Sequence, residues 1–129
     1  MITSNKELPT PAKFISKFFE SRIQTHVYHL QTTSYAAHKA LNEFYDDITG
    51  FADDIVESFQ GGKSLIIKGY KPGNILEDND PVSYLQSFLT FLKEERYKCF
   101  DKNDSDIQNI IDESITLTKS TIYKLKFLK

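Results

Sequence analysis

The residues with metal-binding chemistry crowd into one stretch of the chain, 26–57. His26, His29 and His38 are its only histidines, and Asp46, Asp53 and Glu57 follow them. Imidazole nitrogen and carboxylate oxygen are donors that borderline and hard divalent ions accept. If 34–60 forms one helix, a step of 100° per residue sets Asn42, Asp46, Asp53 and Glu57 on the same edge as His38. That edge flanks the apolar stripe of the helix. Asp53 and Glu57, one turn apart, can chelate one ion. His38 cannot join them within one chain, because roughly 22 Å of helix rise separates it from Asp53, against a ligand bond of about 2 Å. A shared site therefore calls for two chains. A two-fold axis pairing antiparallel copies of this helix would set each His38 against the partner's Asp53 and Glu57.

The other reactive types carry less. Tyr28, Tyr35 and Tyr45 read as core or interface aromatics. Cys99 is the only cysteine, which excludes an intrachain disulfide and a Cys-based zinc site, and it reads as a small buried hydrophobe. Gly61-Gly62-Lys63-Ser64 resembles only the tail of a phosphate-binding loop. It lacks the first glycine and the preceding strand.

Four helical segments must position these residues. The first runs from about Pro11 to Leu30, with Phe14, Ile15, Phe18, Phe19, Ile23, His26, Val27 and Leu30 at helical spacing and Pro11 at a first-turn position. The second runs from about Ser34 to Gln60. Its stripe is Leu41, Phe44, Tyr45, Ile48, Phe51, Ala52, Ile55 and Phe59, and Gly61-Gly62 is expected to stop it. Gly50 costs about 1 kcal/mol against Ala in a helix, so a close packing contact is expected there. Residues 63–79 are not helical in pattern: Ser64–Ile67 has a hint of strand and Lys71–Asn74 reads as a turn. Asp80-Pro81 caps and opens a third helix that reaches about Cys99, with Tyr84, Leu85, Phe88, Leu89 and Leu92 inside. After a break at 101–104, a fourth helix buries Ile107, Ile110, Ile111, Ile115, Ile122, Leu125 and Leu128.

The connections are short, long, short. Helices joined by short turns lie antiparallel, which places all three histidines at one end of the first hairpin. The middle segment could reach about 55–60 Å if extended, enough to run back along a second helix about 40 Å long. The reading is all-α: a four-helix bundle, ferritin-like, with a long crossover loop between helices 2 and 3. Residues 1–10 are expected to be a flexible tail and 11–129 a single domain. An up-down-up-down bundle with an excursion loop is the alternative topology.

With 129 residues, 40% hydrophobic and 26% charged, the chain has the composition of one soluble domain with its own core. The net charge of −2 argues against binding DNA by bulk electrostatics. Lys119, Lys124, Lys126 and Lys129 read first as cations at a helix C-terminus, with a phosphate-binding patch as the lesser reading. No apolar run reaches the ~20 residues of a membrane span, and the N-terminus lacks the apolar region of a signal peptide. The expected location is cytoplasmic, with no membrane partner.

The stretch from His26 to Gly61 resembles the metal-binding hairpin of the Dps-like mini-ferritins, including the Dps-like proteins of phages. That family carries a histidine near the end of its first helix, a histidine on the second, and then an Asp-x-x-x-Glu pair. His38, Asp53 and Glu57 match the later elements. His26 and His29 both fit the first, with His29 preferred because the turn here is short. Asn42 stands where the family has an acid, with Asp46 one turn on, and the chain has no tryptophan. The resemblance implies a homo-oligomer, at least a two-fold dimer, with iron or another divalent metal at its subunit interface, ferroxidase activity and iron storage. A phage-encoded relative would sit in the host cytoplasm or the virion. The competing expectation is a metal-free helical structural or interaction protein on the same scaffold, with 63–79 as its contact surface.

Overall fold

The protein is described by a computed structural model covering residues 10–77 and 79–129. The tail expected over 1–10 lies outside the described residues apart from Thr10, which caps the first helix. Four helices form: α1 Pro11–Gln31, α2 Tyr35–Lys63, α3 Pro81–Cys99 and α4 Ser105–Phe127. No strand occurs among the described residues, and Leu65–Ile67, expected to have a hint of strand, has no regular secondary structure.

Local chemistry starts three of the four helices. The Thr10 hydroxyl accepts from the Lys13 N–H ahead of α1, Ser34 accepts from Ala37 ahead of α2, and Asp80 accepts from Ser83 ahead of α3. Each satisfies one of the amides that a helix start leaves orphaned. Pro11 and Pro81 occupy first-turn positions, where a missing N–H costs nothing. Asp104 precedes α4 but makes no side-chain cap. Its carboxylate faces Lys63 at 3.4 Å instead, tying the end of α2 to the start of α4.

The helices form a bundle in which α1 and α4 each pack on both α2 and α3, while α1–α4 and α2–α3 lie across the diagonal. A fully buried set of Phe14, Phe18, Phe44 and Phe88, with Leu41, Ile48, Leu85, Leu92 and Ile111, fills the centre. Ring contacts order the pairs. Phe14 meets Phe91 and Phe100, Phe18 meets Phe88, and Tyr28 meets Tyr84, so α1 and α3 run antiparallel. Between α3 and α4, buried Arg96 donates through Nε to Gln108 Oε1 at 2.8 Å and through Nη2 to the Gln108 carbonyl at 2.9 Å. It also pairs with Asp112 at 2.8 Å. A buried charge needs that many partners.

The segment between α2 and α3 is stitched to α1. Ser16 Oγ accepts from the Lys71 N–H at 2.9 Å, and the Tyr28 hydroxyl donates to Asn79 Oδ1 at 3.1 Å. Between them, Gln24 donates to the Leu76 carbonyl and accepts from the Leu76 N–H, both at 2.7 Å. Gln24, Ser21 and Thr25 are fully buried.

Several expectations need correction. Gly61-Gly62 does not stop α2, which continues to Lys63 and ends on Ser64 in the left-handed region at φ 55. Phe59 against Phe100 and Lys63 against Asp104 hold that last turn in place. No close contact explains Gly50, which is exposed with nothing within 4 Å of where a Cβ would lie. Phe19, Ile23 and Leu30, expected in the core, are exposed at 41%, 47% and 70%. The core face of α1 continues through Ser21 and Thr25 to Tyr28, so the other flank of its wide apolar arc is turned outward. Leu128 is also exposed, lying beyond the end of α4.

Gly73 is the glycine whose missing side chain is used. A Cβ there would overlap the Glu20 side chain. Glu20 is not free to yield, since Lys17 and the Tyr84 hydroxyl both hold its carboxylate. Gly73→Ala is expected to cost about 1–3 kcal/mol, and Gly50→Ala to gain up to about 1 kcal/mol. Thermal unfolding should therefore show Tm moving in opposite directions in the two variants.

Candidate functional site

The α1–α2 turn brings His29 and His38 face to face. Their rings stack at 3.6 Å between centroids, 20° from parallel. His29 Nδ1 lies 2.7 Å from the His38 carbonyl oxygen, and His38 Nδ1 lies 2.9 Å from the His29 carbonyl oxygen. A carbonyl oxygen only accepts, so both Nδ1 atoms carry protons and donate. In a neutral ring this leaves the lone pair on Nε2. The His29 carbonyl belongs to the last turn of α1, where carbonyls lack helical partners. His38 thus completes the end of α1 from the second turn of α2.

A histidine whose Nδ1–H is held by a backbone carbonyl has the tautomer and fixed orientation that metal-binding imidazoles generally show. His29 is buried and His38 half-buried. A shallow cavity of about 280 Å³ opens beside them, lined by His29, Tyr35, His38, Lys39, Asn42 and Glu43. His26 is half-buried, stacked on Tyr45 at 4.5 Å and 5.9 Å from the His29 ring. The opposite requirement of Tyr45 is met on α2: its hydroxyl donates to Asn42 Oδ1 at 2.6 Å, and Asn42 Nδ2 donates to Asp46 Oδ2 at 3.0 Å. Asn42 is thereby a relay between Tyr45 and Asp46. It orients the Asp46 carboxylate, and an acid at 42 could not donate in this way while ionised.

Asp53 and Glu57 are exposed much further along α2, well away from His38 near its start. Within one chain, no group of three or more His, Cys, Asp or Glu converges on a metal position among the described residues. The structure therefore brings His26, His29 and His38 together and leaves Asp46, Asp53 and Glu57 facing solvent. The reciprocal histidine bonds were not anticipated from sequence. The signal for them was present: two histidines bracketing a short turn, one in the last turn of a helix and one near the start of the next.

Cys99 is no rival nucleophile. Burial, with Glu95 adding, pushes its thiol up to about 11, so little thiolate exists at neutral pH. Tyr84 is likewise held protonated, raised by burial and by its bond to Glu20.

Residues 29–125 match the profile of a family described as a family of unknown function, DUF5856. No curated protein and no solved structure matches the chain.

Three outcomes check these assignments. Nitrogen chemical shifts of the imidazoles should report the Nδ1–H tautomer for both His29 and His38. His38→Phe, which keeps a stacked ring but loses the donor, should cost about 1–2 kcal/mol in denaturant unfolding. Alkylation of Cys99 in the folded protein at pH 8 should be far slower than in the unfolded chain.

Proposed function

We propose that this chain, which belongs to the DUF5856 family, is a ferritin-like four-helix protein that assembles at least as a two-fold dimer and takes up ferrous iron, or a similar divalent ion, between subunits. The observation that carries this reading is the pair of oriented imidazoles, His29 and His38, whose Nδ1 atoms are both committed to carbonyls. Their donor chemistry suits such an ion. His38, with His29 or His26, would supply nitrogen ligands from one chain, and the partner's Asp53 and Glu57 would supply oxygen. Asp46, oriented by Asn42, is the further carboxylate at hand. Iron here is substrate and cargo, each ferrous ion giving one electron to peroxide or oxygen.

Two further observations support the assembly. Phe44 meets Phe88 and Phe59 meets Phe100, stepping in the same sense along α2 and α3. This favours a linker that crosses the bundle lengthwise, as in ferritin-like folds. The outward flank of α1 and the linker together expose Phe19, Ile23, Tyr70, Ile75 and Leu76, an apolar face of the kind that marks a protein interface.

A second reading keeps the scaffold without the metal. The reciprocal bonds give each histidine a structural duty, so both rings are accounted for as a clasp between α1 and α2. The protein would then be an interaction module, with exposed Leu65 and Ile66 in its contact surface.

Anaerobic titration of the purified chain with ferrous ion, paired with light scattering, separates the two. The first reading expects a dimer or larger assembly and saturable binding that weakens at least tenfold in both His38→Ala and Glu57→Ala. A monomer, or binding unchanged in both variants, would overturn it. Loss of binding in Glu57→Ala has no structural excuse, because that side chain is exposed and bonded to nothing among the described residues.

A further inference from the structure

The end of α4 has a chemistry that the metal reading does not use. After Glu113 the helix carries no acid, while Lys119, Lys124, Lys126 and Lys129 follow. On a helical projection Lys119, Tyr123, Lys126 and Phe127 fall within a sector of about 100°. That sector faces outward: Tyr123 is 53% and Phe127 66% exposed, with Leu128 beyond them at 45%. The Tyr123 and Phe127 rings lie 5.8 Å apart, and Lys126 Nζ sits 5.7 Å from the Phe127 ring.

Aromatic side chains held among lysines at a helix end are the composition of a peptide that lies in a lipid interface. Lys124 pairs with Glu43 at 3.0 Å, which sets this end beside the first turns of α2. There Leu30 and Tyr35 are also exposed, at 70% and 75%. Of the acids nearby, Glu43 is neutralised by Lys124 and Asp80 is engaged by the first turn of α3. Glu77 on the linker is left exposed, and Lys39 on α2 is an exposed cation as well.

We infer that this end of the bundle docks on an anionic lipid surface, with Tyr123, Phe127 and Leu128 entering the headgroup layer and Lys119, Lys126 and Lys129 meeting its charge. The rest of the molecule argues for contact end-on. The chain is net −2 although this segment is wholly cationic, and exposed Asp46, Asp47, Asp53, Asp54 and Glu57 run along α2, with Asp112 and Glu113 on α4. A long polyanion such as duplex DNA laid along the bundle would meet those acids. A planar surface touched at the tip meets the lysines and the apolar side chains and avoids that row of acids. No helix among the described residues is long and apolar enough to cross a membrane, so the contact is a surface one.

Co-sedimentation of the full chain with vesicles tests this. Vesicles of phosphatidylcholine containing a minority of phosphatidylserine should carry the protein down at low salt, and pure phosphatidylcholine vesicles should not. Lys126→Gln and Lys129→Gln should each weaken partitioning about fivefold. The double variant Tyr123→Ser, Phe127→Ser should weaken it at unchanged charge. All four side chains are exposed, so unfolding midpoints should stay at the parental value. Failure to bind the anionic vesicles, equal binding to both kinds, or binding indifferent to all these substitutions would overturn the inference. So would duplex DNA that competes the protein off the vesicles, or a self-association in free solution that the same substitutions abolish.

Discussion

The bundle depends on how a stretch without secondary structure of its own is held. Residues 64–77 contain peptide groups that no helix or sheet satisfies, and buried unpaired groups of this kind are costly. Gln24 meets part of that need, with one amide side chain bonded to both the N–H and the carbonyl of Leu76. Ser16 meets another of these groups by accepting from the Lys71 N–H, and Tyr28 ties down the far end by donating to the Asn79 side chain. The polar residues of α1 are therefore not a solvated face. They are a template on which the linker is laid, and they determine where α3 can begin. Glu20 belongs to the same row, holding Tyr84 of α3 and leaving room only for a glycine at 73.

The α1–α2 hairpin works on a related principle. Helix ends leave carbonyls without partners, and an imidazole is a donor compact enough to reach one from a neighbouring helix. His38 does this for the His29 carbonyl across the turn, and His29 returns a bond to the His38 carbonyl inside α2. The consequence is chemical as well as structural. A ring fixed through Nδ1 is oriented, and its remaining nitrogen has a defined role. The same geometry thus serves a clasp and a ligand pair, which is why the two functional readings share their residues and separate only on the carboxylates of α2.

Charge is distributed unevenly on this scaffold. The acids of α2 and the first half of α4 lie along the sides of the bundle, and the last turns of α4 carry lysines and no acid. Arg96, by contrast, is a cation used internally, spending its donors on Gln108 and Asp112 to lock α3 to α4.

Much of this was legible from the residues alone. Ser34, Asp80 and Pro81 announce helix starts because capping is a local interaction between a side chain and amides three residues on. The stripes of α2 and α3 announce a core because the helical period does not depend on the neighbour. The grouping of His26, His29 and His38 followed from a short turn and a rise per residue. Burial on α1 did not follow, since Ile23 and Leu30 satisfy the period yet face outward, while Gln24 and Thr25 are covered. Which flank of a helix is covered is decided by what packs on it, here a linker whose path no local rule predicts. Gly61-Gly62 failed as a stop for the same reason, the last turn of α2 being held by Phe100 and Asp104 from distant parts of the chain. Sequence thus determined the helices, their order and the level at which the histidines meet. Only the tertiary structure decided which nitrogen of each ring is committed, because that depends on the position of a carbonyl in another helix.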